Sequence, residues 1–224
     1  MMKENINVEV FSELKDEQSK IQNPKSKIGT EFENQAISEG FRFIAGVDEV
    51  GRGCLAGCVV AAACILDLSK PLPIGLNDSK KLSEKKRLKL DEEIRATAIA
   101  FAIAQVEADE IDRINILQAT KKAMRLAVEK LQPNADFLLI DAVQLKEINL
   151  PQKAIIHGDA ISASIAAASI IAQTYRDNLM KEMSKIYPEY GFSKHVGYGT
   201  KAHFEALRTH GACEIHRKSF RGVL

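Results

Sequence analysis

Three short apolar runs in this chain each finish in a carboxylate, and that recurrence constrains the fold more than any other feature. FRFIAGVD closes on Asp48 with Glu49 next, DFLLID closes on Asp141, and KAIIHGD closes on Asp159. Short β-favouring runs of this kind read as buried strands. Two more, GCVVAAACILD and ATAIAFAIAQV, lie between the first pair and look like strands of the same sheet. A helical pattern runs from residue 83 to near 95. Another covers 115–131 and sets Ile116, Ala119, Ala123, Ala127 and Leu131 near one face before Pro133 stops it. A long helix is predicted from 160 to about 186, ended by Pro188, and a last one over 200–210 closed by Gly211. Strands in succession, then strands alternating with helices, predict an α/β layer fold on a mixed sheet, antiparallel at its start and parallel in its continuation.

With 224 residues, 46% of them hydrophobic, the chain can bury a sizeable core. No apolar stretch approaches the roughly 20 residues that span a bilayer. The N-terminus, MMKENINVEVFSELKDEQSK, lacks the apolar centre of a signal peptide, so a soluble, cytoplasmic protein without a membrane role is expected. Cys54, Cys58, Cys64 and Cys213 form no CxxC pair and read as reduced core thiols. The five histidines form no HExxH or similar cluster, which leaves structural or surface roles. A net charge of +1 argues against coating nucleic acid by bulk electrostatics, but the charge is segregated. Residues 77–89 carry 6 basic against 2 acidic side chains and 181–224 carry 8 against 4, enough for a basic face of modest footprint. Taken alone, the 81–89 run reads equally well as a solvated helix surface.

In α/β sheets ligands sit beyond the carboxyl ends of strands, so the acids would converge if their strands are neighbours. Packed carboxylates need compensation, and their hard oxygens suit Mg²⁺ or Mn²⁺. Each acid has a plainer reading as well. An aspartate placed like Asp159, ahead of a helix, is commonly an N-cap, and Asp141 can simply end a strand in a turn. Asp48 and Glu49 are adjacent, so from a regular strand they point to opposite faces: either the strand bends there, or Glu49 acts partly through its backbone. Gly46, Gly51 and Gly53 make bending feasible and let a backbone approach a phosphate or sugar hydroxyl.

The segments IAGVDEVGRG (44–53), NDSKKLS (77–83), LLIDA (138–142), HGDAISASIAAASIIAQTYRD (157–177), GYGTKAH (197–203) and HRKSF (216–220) strongly resemble bacterial ribonuclease HII, the type 2 ribonuclease H family, in collinear order over about residues 30–224. The resemblance implies a ribonuclease H-like mixed sheet flanked by helices, with a small helical C-terminal appendage. Its limits would be a polar, flexible extension at 1–30, a catalytic core at 31–186 and a substrate-contacting appendage at 187–224. Asp48, Glu49, Asp141 and Asp159 match the family's catalytic, metal-binding carboxylates. Gly51, Arg52 and Gly53 match its GRG motif, which contacts the ribonucleotide and its phosphate, and Tyr198 matches the tyrosine that senses the ribonucleotide–deoxyribonucleotide junction. Four positions depart from the pattern: Cys54 and Cys58 stand where prolines are common, Ile161 where a polar residue is usual, and Gln173 where a lysine is.

The expected activity is two-metal hydrolysis of the RNA strand of RNA/DNA hybrids, and of the 5′ side of ribonucleotides embedded in duplex DNA. It would leave 5′-phosphate and 3′-hydroxyl ends, with Asp48 and Asp141 the leading bridging ligands. Lys80, Lys81 and Arg52 would contact phosphates without reading bases. A monomer is expected, since no heptad or exposed apolar stripe stands out, and the sequence names no protein partner. The rivals are another ribonuclease H-like nuclease acting on DNA and a noncatalytic nucleic-acid-binding module.

Overall fold

A computed structural model of the protein describes residues 28–224. The extension predicted at the N-terminus therefore lies, for 1–27, outside the described residues. Ile28 already packs into the core, and Gly29 exchanges backbone hydrogen bonds with Ile161 and Ala163.

Five strands, β1 (Ile44–Val50), β2 (Val59–Ile65), β3 (Ala100–Val106), β4 (Phe137–Asp141) and β5 (Gln152–Ile155), form one sheet in the order β3-β2-β1-β4-β5. β1 pairs antiparallel with β2, and β2 with β3, whereas β1–β4 and β4–β5 are parallel. This is the mixed sheet expected from the order of the runs. The described helices are α1 (Glu31–Ser38), α2 (Glu84–Thr97), α3 (Ala108–Ile114), α4 (Ile116–Glu129), α5 (Ala163–Ile186), α6 (Phe192–His195) and α7 (Lys201–His210). Neither α1, α3 nor α6 was predicted. Two of them are only one or two turns long, and ADEIDRI of α3 buries just Ala108 and Ile111, too few positions to show a period.

Strand β2 explains the layering. Val59, Ala61, Ala63 and Ile65 join the core on the α4 side, and Val60, Ala62 and Cys64 join the core on the α5 side, as a period of two requires. Both faces are buried, so the run is continuously apolar. The thiols behave as core groups: burial pushes Cys58 up to about 11 and Cys64 up to about 12, so both stay protonated near neutrality. On β1, Ala45 and Val47 face the α4 core while Val50 faces α5. Gly46 lies on the α5 side too, where a Cβ would stand 2.0 Å from the backbone carbon of Ser164.

Two boundaries differ from expectation at the place that matters most. β5 stops at Ile155, so Asp159 is not at a strand end but in a short 3-10 turn, Gly158–Ala160. The long helix begins at Ala163 rather than 160, and its N-cap is Ser162, whose hydroxyl accepts from the Ile165 N–H at 3.3 Å. Asp159 is thus relieved of the capping role. Beyond α5, the C-terminal segment packs Tyr190, Phe192, Leu207 and Val223 onto Met180, Leu55 and Ala56, which brings it against the loop that follows β1.

Helix α5 lies on β1 with no room for a methyl group at Gly46. Gly46→Ala should therefore lose about 3 kcal/mol or more of unfolding free energy, the upper part of the range for overpacking, because the clash is with backbone. Urea denaturation of the two proteins measures it, and a loss below about 1 kcal/mol would contradict this packing.

Candidate active site

The acids meet because β1 and β4 are parallel neighbours. Their register pairs Val47 with Ile140, so Asp48 and Asp141 follow side by side at the same end of the sheet. Asp141 pairs across to Ile155 of β5, and its Oδ1 accepts the Gly158 N–H at 2.8 Å, which ties the Asp159 turn to the end of β4. Strand β1 stays in register with β2 through Val50–Val60, so it does not bend ahead of Glu49. The turn comes at Gly51, with φ +89°. Asp48 accordingly faces α5. The Glu49 side chain leaves from the other face and takes the Arg52 guanidinium at 3.1 Å, while its N–H donates to Asp48 Oδ1 at 2.7 Å.

The Asp159 turn is held from behind by a residue that sequence reasoning did not single out. Glu33 of α1 is completely buried, and its Oε1 accepts from the Ser162 hydroxyl at 2.7 Å and the Ser164 N–H at 2.8 Å. It thereby supplies a negative charge to the first turn of α5, where helix N-termini favour one. Nothing in FENQAISEG marks Glu33 as different from a surface glutamate, since its partners lie about 130 residues away.

Electrostatically the site is short of positive charge. Burial, then the neighbouring Glu49 and Asp141, hold the Asp48 carboxyl well above the ordinary 3.8, with the Ser169 hydroxyl pulling the other way. Burial raises Glu49 as well, against Arg52, and it raises Asp141 against the Gly158 N–H, with Asp159 adding repulsion. Lys80 spans to Asp159 at 3.3 Å; burial works against its charge, but Asp159 and Asp48 outweigh it and keep it above 10.5. The Lys80 side chain is 70% exposed, so the pair adds little stability.

Asp48, Glu49 and Asp141 therefore form one repelling group, with Asp159 acting on Asp141, although among the described residues no three His, Cys, Asp or Glu side chains are in ligand spacing as they stand. The reason is local: each carboxylate is turned toward a near partner, the Glu49 N–H, Arg52, the Gly158 N–H or Lys80. The donor chemistry nevertheless fits a hard divalent cation. All the donors are carboxylate oxygens, and Glu49 Oε2 is buried with no hydrogen-bond partner.

The second group of expected residues lies next to the acids. Gly51–Gly53 follow β1 directly, and Tyr198 bridges to Cys54 while lying over Gly53, where a Cβ would stand 4.0 Å from its ring. Tyr198 is 41% exposed, which favours a surface role over a packed loop aromatic. The histidines fill structural places: His195, His203 and His216 are buried, and His203 and His216 bond to each other at 3.0 Å.

A family model described as Ribonuclease HII matches residues 45–223. A "Ribonuclease HII" of Desulfitobacterium hafniense is 58% identical over 191 residues, spanning 85% of this chain and 73% of its own. Among solved structures, the ribonuclease H2 of Pyrococcus horikoshii OT3 has TM-score 0.69 at 24% identity, covering 81% of this chain and 95% of its own. Bst-RNase HIII in complex with Mn²⁺ has TM-score 0.62 at 20% identity, covering 81% and 68%. Both share the fold.

The raised carboxyls make a prediction about stability in metal-free buffer. A carboxyl whose pKa is higher folded than unfolded stabilises the fold fully below its unfolded value, and that contribution is lost as pH rises through the folded one. Asp48→Asn should therefore be more stable than the parent at pH 7–8 in EDTA, with the advantage vanishing as pH falls toward 3.8. Thermal melts across that range decide it, and an Asn variant less stable than the parent at pH 8 would show that Asp48 is not electrostatically penalised.

Proposed function

Because this chain belongs to the ribonuclease HII family and is a ribonuclease H endonuclease, we propose that Asp48, Glu49, Asp141 and Asp159 hold its divalent cations. These would be Mg²⁺ or Mn²⁺, two of them during catalysis. The supporting observation is the placement of Asp48 and Asp141 at one end of adjacent parallel strands, with the Asp159 turn tied to Asp141 through the Gly158 N–H. A protein of the same fold is recorded with Mn²⁺. When bound, such cations lower the pKa of an attacking water and stabilise the leaving 3′ oxygen.

The remaining roles fall to this chain's own groups. Asp48 and Asp141, as neighbours, would hold the cations together with Glu49, which leaves from the opposite face of β1, and Asp159, from the turn before α5. The loop Gly51–Arg52–Gly53 receives the ribose 2′-hydroxyl and the adjacent phosphate. A site built to bond that hydroxyl rejects the sugar lacking it, because its own polar groups are then left unpaired. Tyr198, over Gly53, stacks at the junction with deoxyribonucleotide. Lys80 and Arg52, paired here with Asp159 and Glu49, would meet substrate phosphates. The substrates are RNA/DNA hybrids and duplex DNA with embedded ribonucleotides, cut on the 5′ side of the ribonucleotide to leave 5′-phosphate and 3′-hydroxyl ends. The segment 187–224 serves as the substrate-contacting appendage.

Asp48→Asn should keep the fold and duplex binding but lose at least about 1,000-fold in kcat, the size of several kcal/mol of metal-derived stabilisation. The assay compares a duplex with one embedded ribonucleotide and the same duplex in DNA alone, in Mg²⁺ and in Mn²⁺. Mg²⁺ should also raise the Tm of the parent and not of the variant. Near-parental cleavage by Asp48→Asn, or equal cutting of the all-DNA duplex by the parent, would refute the assignment.

A further inference from the structure

Two arginines stand out beyond the acids. Arg176 on α5 and Arg217 near the C-terminus are the largest side chains buried completely, and among the described residues neither forms an ion pair. Asp112 is an acid that feels Arg217, but it is engaged with Lys218 and Ser219. Burial brings Arg217 down to about 10, so it remains charged near neutrality. Taking two guanidiniums out of water without carboxylates costs several kcal/mol, so their other partners must explain them.

Those partners are backbone carbonyls of the segment that begins with the Gly51–Gly53 loop and of the turn that leads into Tyr198. Arg176 donates from Nε to Cys58 at 3.0 Å, from Nη2 to Ala56 at 3.0 Å and from Nη1 to Val196 at 2.7 Å. Arg217 donates from Nε to Gly57 and from Nη1 to Arg52, both at 2.9 Å, while its Nη2 is buried without a partner. Four of the five carbonyls lie in residues 52–58 and the fifth is two residues before Tyr198. The loop after β1 closes onto Arg176 only because Gly51 lacks a side chain, since a Cβ there would stand 2.3 Å from Nε; a Cβ at Gly197 would stand 2.4 Å from the Ala56 carbonyl oxygen that Arg176 holds, and both glycines are at positive φ. Drawing the Arg52 carbonyl inward turns the Gly53 N–H, on the same peptide plane, outward, and neither it nor the Arg52 N–H has an acceptor among the described residues.

We propose that Arg176 and Arg217 are positioning residues for ribonucleotide recognition, a buried cationic brace that fixes the spacing between the Gly51–Gly53 loop and the Tyr198 turn and keeps the loop's N–H groups facing substrate. The inference rests on the reading of those loops under the proposed function. A fork of planar donors does this and a point charge does not, so Arg→Lys separates the brace from the mere presence of a cation.

The test measures kcat/KM of the parent, Arg176→Lys and Arg217→Lys on a duplex with a single embedded ribonucleotide and on a continuous RNA/DNA hybrid, with folding checked by circular dichroism. Both loops are needed to read a junction, so the ratio of the two values should fall about tenfold or more in each variant, the scale of discrimination that misplaced polar groups forfeit. A ratio within twofold of the parent's in folded variants would overturn the proposal, because general destabilisation lowers both substrates together. Should neither variant fold, the arginine Nε–H signals of the ¹⁵N-labelled parent in EDTA serve instead. They should move when the ribonucleotide duplex is added and not with its all-DNA counterpart, and identical responses would overturn the brace. A parent that cleaves neither ribonucleotide substrate would defeat the underlying function, a result distinct from a selective parent whose variants keep its ratio.

Discussion

Parallel pairing of β1 with β4 is the interaction on which the site depends. It places Asp48 and Asp141 on neighbouring strands about 5 Å apart at one end of the sheet, with Asp48 buried beneath α5 and Asp141 half-buried beside it. Two carboxylates so placed oppose folding through burial and mutual repulsion, and a third and fourth acid add to the cost. The core around them carries that cost. β1 and β2 are buried on both faces, with alanines on β2 that admit a helix closely on either side. The rigidity of the apolar layers is what allows a cluster of like-charged groups to be held together.

Much of this was legible in the chain. The strand that ends in Asp141, the run that bears Asp48 and Glu49, the switch from antiparallel to parallel pairing and the identity of the long helix all follow from patterns within short windows, and windows are what a sequence displays. The same holds for Gly51–Gly53 and Tyr198, whose motifs are contiguous. The resemblance to ribonuclease HII carried these into roles that spacing alone left open, and the family match over residues 45–223 agrees with it.

What stayed hidden was long-range. Asp159 looked like a helix cap because caps are common ahead of helices, but Ser162 takes that task and Glu33 reinforces it from a segment with no local sign of importance. Glu49 called either for a bend in β1 or for a role partly through its backbone, whose N–H donates to Asp48. The strand instead remains regular and the glutamate is drawn sideways by Arg52. Arg176 and Arg217 sat inside recognised motifs, yet a buried arginine bonded to carbonyls has the same letters around it as an exposed one. Burial of a charge is a property of the assembled fold, and no window of the chain contains it.

Helix α5 and its N-cap meet three different parts of the site at Ser162, Ser169 and Arg176: the turn bearing Asp159, the Asp48 carboxyl, and the carbonyls of the segments next to Gly53 and Tyr198. These positions are seven residues apart, close to two helical turns, so they recur on one side of the rod at intervals of about 10 Å. The helix works as a stencil. A single inserted or deleted residue between Ser162 and Arg176 would swing one end by roughly 100° relative to the other. The acids and the Gly51–Gly53 loop would lose their alignment even with every side chain still in place, so this stretch tolerates substitution far more readily than any change in length.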